Sequence, residues 1–184
     1  MEELIQLAEL IKKRNLLERE ITAIIGRPAG IGHIGEYVAS RIFRIALEQS
    51  ASHKAIDGRF STGTLTGRSV NIKWYALREG LLDITPDTLP DYYLVLTGSR
   101  SSAMTSLERS RPWAIEEVFL FDAPTLVARL RQSGVKIGTA TSVRQQLWRE
   151  AEIYPRQNHD LFHLWPEQQK ALALFRLEAA GEQT

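Results

Sequence analysis

The sequence predicts an α/β fold, and three observations carry that reading. Apolar residues recur at helical spacing over the first quarter of the chain, strand-like runs bounded by turn residues fill the middle, and helical patterning returns toward the end. At 184 residues the chain is long enough to bury a core and short for two comfortable ones, so a single domain is expected over 1–184.

Leu4, Ile5, Leu7, Ala8 and Ile11 set a first helix over 2–13, closed by the positive run Lys12-Lys13-Arg14. Asn15 followed by Glu18 resembles a capping box, and Leu17, Ile21, Ile24 and Ile25 continue the period until Gly26 and Pro28. Residues 1–28 are therefore expected to form a helical hairpin. Over 34–47, Ile34, Tyr37, Val38, Ile42, Ile45 and Ala46 make one apolar face, with Ala39, Phe43 and Leu47 behind it, the pattern of a buried helix. Glu36 falls on that second stripe, and a carboxylate on a covered face needs a partner or a metal.

Three strand-like runs follow, near 54–60, 68–75 and 92–97, divided by Ser61-Thr62-Gly63 and Thr66-Gly67. The first two are expected to pair as a hairpin, and a turn centred on position 64 puts Asp57 opposite Asn71. Strand alternation sends Val70, Ile72 and Trp74 to one face and collects Asn71, Lys73 and Tyr75 on the other. A fourth strand over 114–121 leads to Asp122, a helix over 124–132 ending at Gly134, and a short strand over 135–138. Thr141 or Ser142 caps a helix reaching about Ile153, and Pro166 opens another toward Ala180, so 141–184 reads as a helical segment behind a core at 29–140. The Ser- and Arg-rich stretch 98–111 reads as the most mobile loop.

Composition narrows the chemistry. The chain has no cysteine, which removes a disulfide framework, a cysteine-based zinc site and a thiol nucleophile. Lys and Arg total 23 against 22 Asp and Glu, so no global field advertises a nucleic-acid partner, although the arginines leave room for a local patch. Neither a signal-peptide pattern nor a run of ~20 apolar residues is present, and the expected compartment is the cytoplasm, with no membrane partner.

Gly30-Ile31-Gly32-His33-Ile34-Gly35 matches the dinucleotide-binding GxGxxG string, but a helical pattern precedes it where that fold needs a strand. The plainer role is an entry that lets the following helix pack closely. Pro90-Asp91 opens the third strand and reads as a turn. The informative set is Glu36, Asp57 and the Asn71-Ile72-Lys73 run.

In that set the sequence resembles the PD-(D/E)xK, or restriction-endonuclease-like, superfamily: a helix bearing Glu, a strand end bearing Asp, and a strand reading (D/E)xK. The whole chain also looks like an uncharacterised bacterial family with the runs GHIGE, DGRF and VNIKWY, here at 32–36, 57–60 and 70–75. The superfamily resemblance implies a restriction-endonuclease-like core with helical N- and C-terminal extensions, and a metal-dependent nuclease acting on nucleic acid, DNA ahead of RNA. It implies Mg²⁺ or Mn²⁺ held by Asp57, the Ile72 carbonyl and Glu36, with Lys73 positioning water and stabilising charge at phosphorus. Asn71 stands where the pattern has its second acid; an amide oxygen coordinates but carries no charge. Around this catalytic set of Asp57, Lys73, Glu36 and Asn71, the residues Arg59, Arg68, His33 and Tyr75 are candidates to touch phosphates and bases. Cleavage of both strands of a duplex favours a homodimer. The alternative is a catalytically inactive module of the same fold, kept for nucleic-acid or protein binding.

Overall fold

The computed structural model describes residues 1–48, 55–100 and 111–177. Among them run α1 (Glu2–Ile25), α2 (Ile31–Ile42), β1 (Ile45–Leu47), β2 (Gly58–Phe60), β3 (Ser69–Tyr75), β4 (Leu81–Leu82) and β5 (Tyr92–Thr97). Then follow β6 (Glu117–Asp122), α3 (Ala123–Gln132), β7 (Thr141–Ser142), α4 (Gln145–Ala151), β8 (Glu152–Tyr154) and α5 (Pro166–Ala173). The chain is α/β, as its patterning predicts.

Six strands form one mixed sheet in the order β1-β2-β3-β5-β6-β8. β3 and β5 are parallel, and the other neighbours are antiparallel. Strand alternation builds two cores. Val70, Ile72 and Trp74 join Leu94, Leu96 and Leu120 on the face covered by α2 and α5, while Tyr93, Val95, Phe119 and Phe121 face α3 and α4. Covered on both sides, β5 reads as the continuous apolar run of a central strand. Trp148 of α4 meets Phe119 and Phe121 edge-on, with ring centroids 4.7 and 5.0 Å away.

The hairpin of β2 and β3 has the expected register, with Gly58 opposite Val70 and Arg59 opposite Ser69. β5 covers the 92–97 run, and α3 begins where Asp122 accepts the Thr125 N–H at 2.8 Å. α2 packs closely on β3: a Cβ at Gly35 would lie 3.0 Å from the Trp74 Cβ. The GxGxxG string thus lies across the entry and first turns of α2, behind a helix and with no strand before it.

Several expectations need correction. Residues 1–28 do not form a hairpin; α1 is one helix of 24 residues, because Asn15 stands among strong helix formers and no glycine or proline intervenes before Gly26, whose φ of +70° ends it. The helix expected over 34–47 stops at Ile42. Arg44 takes a left-handed φ of 53°, and Ile45–Leu47 turn into β1, pairing with the edge that β2 would otherwise leave open.

The short strand expected over 135–138 is absent; Gly138 is held instead by Thr141, whose hydroxyl both donates to its carbonyl and accepts its N–H, and β7 pairs with β4 in a separate two-stranded sheet. The 141–184 segment is not simply helical, because Glu152–Tyr154 leave α4 to become β8 and satisfy the edge of β6. The last helix ends at Ala173. Residues 49–54, most of the loop at 98–111 including Arg109, and 178–184 lie outside the described residues.

Candidate functional site

The site is built where β2 and β3 part. Asp57 immediately precedes β2, and extending the hairpin register by one position places it opposite Asn71. Its main chain is fixed on both sides: the N–H donates to the Val70 carbonyl and the carbonyl accepts from Glu48 N–H, each at 2.9 Å. The side chain then replaces the backbone in the ladder, because Asp57 Oδ2 accepts the Ile72 N–H at 2.6 Å. N–H and C=O of one strand residue leave from the same edge, so the Ile72 carbonyl projects toward this gap. Gly58 makes the arrangement sterically possible: a Cβ there would lie 2.6 Å from the Ala46 carbonyl oxygen.

β3 supplies the second pair of groups. Asn71 and Lys73 stand opposite Tyr93 and Val95 of β5, on the face of the second core. Asn71 is 5 % exposed, and its Oδ1 is buried with no hydrogen-bond partner among the described residues, a vacancy that costs about 1–3 kcal/mol in a folded interior. Lys73 is half-buried and enters no salt bridge among the described residues.

Glu36 approaches from α2, on the other face of β3, and its carboxylate is paired with Arg27. The charges converge on Asp57. Burial pushes its pKa above the ordinary carboxyl value; the Ile72 N–H opposes that, Glu36 raises it further, and Lys73 and Arg27 lower it. Glu36, Asp57 and Lys73 therefore share one electrostatic neighbourhood, with Asp57 in the gap between the sheet faces. Arg27 is the member that sequence reading missed. It sits in the bend between α1 and α2, nine residues from Glu36, and no periodicity links the two.

The residues expected to contact nucleic acid have partners of their own. Arg59 donates to the Gly67 carbonyl and lies 3.7 Å from Glu48, Arg68 pairs with Asp91 at 3.1 Å, and His33 Nδ1 meets the Pro28 carbonyl at 2.9 Å. The Tyr75 hydroxyl accepts the Asp83 N–H at 3.1 Å, and burial pushes its pKa up. Arg59 and Arg68 remain half exposed or more, so solvated phosphates compete with these surface pairs, whereas Tyr75 belongs to the packing around β4.

As a metal site the arrangement is sparse. Among the described residues no group of three His, Asp or Glu side chains stands ready for an ion. The oxygens on which a hard cation would have to draw are the Asp57 carboxylate, the Asn71 Oδ1 and the Ile72 carbonyl, with Glu36 added if it leaves Arg27. No helix among the described residues is long and apolar enough to cross a membrane. Neither a protein-family model nor a curated protein matches the chain.

Proposed function

We propose that the chain is a divalent-cation-dependent phosphodiester hydrolase of nucleic acids on a restriction-endonuclease-like core. The order α2, β1, β2, β3, β4, β5, β6, α3, with all of these strands except β4 in one mixed sheet, supports the core assignment. The observation that carries the function is the juxtaposition of Asp57, a carboxyl whose pKa burial raises, with the Asn71 oxygen and the Lys73 ammonium of the adjoining strand, neither of which has a hydrogen-bond or ion-pair partner, respectively, among the described residues.

Asp57, Asn71 Oδ1 and the Ile72 carbonyl would hold Mg²⁺ or Mn²⁺, with Glu36 as a supplementary acid. Such an ion supplies Lewis-acid polarisation of a phosphoryl oxygen and a more acidic bound water. Lys73 places a compact positive charge beside the reacting phosphate, where it orients the attacking water and stabilises charge developing on phosphoryl oxygen. Asp57 is held rigidly by three backbone contacts, so its carboxylate does not have to be ordered when substrate arrives. Arg59 and Arg68 are the arginines of the hairpin that reach solvent and would meet the flanking phosphates.

The Arg27–Glu36 pair favours a second reading, a catalytically inactive module, since it leaves one carboxylate unclaimed at the site. Labelled duplex DNA and single-stranded RNA incubated with Mg²⁺ or Mn²⁺ distinguish the two. Cleavage that disappears in Asp57→Asn and in Lys73→Ala supports the hydrolase; binding without cleavage, equal in all three proteins, supports the module.

A further inference from the structure

α1 is the part of the molecule whose chemistry the remainder leaves unanswered. It is about 36 Å long and has no buried residue. Ile21 and Ile25 are half covered at the end that meets α2, while Leu7, Leu10, Leu17 and Ile24 are each more than half exposed. A helix without tertiary packing is marginal in water, because propagation barely repays the ordering of the backbone. An apolar stripe this long needs a covering surface.

We propose that α1 pairs with α1 of a second copy of this chain, antiparallel. Leu7, Leu10, Leu17, Ile21 and Ile24 follow alternating steps of three and four, the spacing of a coiled-coil seam, with Arg14 as its one polar member. The charges choose the direction. In a parallel pair Arg14 would oppose its own copy. In an antiparallel pair Leu7 layers on the partner's Ile24, Leu10 on the partner's Ile21, and Arg14 on the partner's Leu17, its guanidinium neutralised by Glu18 of its own helix at 2.7 Å.

The seam is then flanked by Lys13 of each helix against Glu20 of the other, formed twice by symmetry, and the helix dipoles oppose favourably. The pairing rests on α1 alone and stands whether or not the chain cleaves nucleic acid.

The absence of cysteine makes a clean experiment available. Full-length Leu7→Cys and Ile24→Cys chains are oxidised mildly, each alone and as an equimolar mixture. Antiparallel pairing predicts a disulfide-linked dimer in the mixture only, since positions 7 and 24 face each other but neither faces itself. Cross-linking of each variant by itself, or of none, overturns the proposal.

Light scattering of the unmodified protein at tens of micromolar should give twice the chain mass, and a one-chain mass also overturns it. Lys13→Glu should raise the dimer dissociation constant roughly tenfold, and adding Glu20→Lys to it should restore the wild-type value, because the charges are exchanged across an antiparallel seam. A double variant as weak as the single one contradicts the assigned register.

Discussion

Asp57 and Asp91 flank the same strand, β3, and the fold treats them in opposite ways. Asp91 receives the Ser69 N–H and hydroxyl at 2.7 Å each and the Arg68 guanidinium at 3.1 Å. Burial pushes its pKa upward, but those donors outweigh it and hold the carboxyl below its ordinary value. Among the described residues Asp57 receives one backbone N–H, it feels Glu36 nearby, and burial leaves its pKa raised. A carboxylate whose lone pairs are filled by neighbouring backbone and hydroxyl groups is a clamp, here joining the starts of the parallel strands β3 and β5. A carboxylate buried with too few donors has capacity left for a ligand. The literal string Pro90-Asp91 thus marks architecture, and the less conspicuous Asp57-Gly58 marks the candidate chemistry.

The largest effects should separate the two acids by activity. Asp57→Asn and Lys73→Ala are each expected to lower nuclease turnover by at least about 10³-fold, with Mg²⁺ binding lost in the first and kept in the second. Asp91→Asn should leave turnover per folded molecule almost unchanged. Equal losses at positions 57 and 91 in cleavage assays would erase the distinction.

Stability should separate them in the reverse order. Asp91→Ala removes the acceptor of three hydrogen bonds and is expected to destabilise by about 1–3 kcal/mol in urea melts. Because the folded pKa of Asp91 is lowered, its contribution is present above the ordinary value of 3.8 and disappears as pH falls through the folded value, so the variant should converge on wild type in acid.

Two smaller effects sharpen the account of Asp57. Asn71→Asp adds a formal charge beside it and should tighten Mg²⁺ binding by about 1–3 kcal/mol, measurable by calorimetry. Without divalent cation the sign at Asp57 itself is the opposite of that at Asp91. A raised folded pKa gives stability below the unfolded value of 3.8 and loses it as pH rises through the folded one, so ionised Asp57 opposes folding at pH 7. Asp57→Asn, which keeps an acceptor for the Ile72 N–H, should therefore melt a few degrees higher at neutral pH, with the gain fading in acid.

Much of this was legible in local pattern. The 92–97 strand, the Asp122-capped helix and the register that sets Asp57 opposite Asn71 all follow from alternation, capping chemistry and turn position. What was not legible depended on long-range pairing. Ile45–Leu47 and Glu152–Tyr154 carry helix-compatible patterns and become edge strands only because β2 and β6 offer unpaired ladders. Arg27 reaches Glu36 through the path of a bend, and the burial of Asn71 depends on a parallel partner, Tyr93, that arrives 22 residues later. α1 misled for the converse reason: its apparent break at Asn15 had no tertiary contact to enforce it.

The most direct test is a pair of thermal melts at pH 7 across a Mg²⁺ titration. The account predicts that wild type gains several degrees as the ion is added, since a ligand at about 100 times its dissociation constant contributes about 2.7 kcal/mol. Asp57→Asn should begin above wild type and stay flat. A wild-type melt indifferent to Mg²⁺ and Mn²⁺, or an Asp57→Asn melt that rises as steeply as wild type, would contradict the assignment of Asp57 as the ligand of a divalent cation.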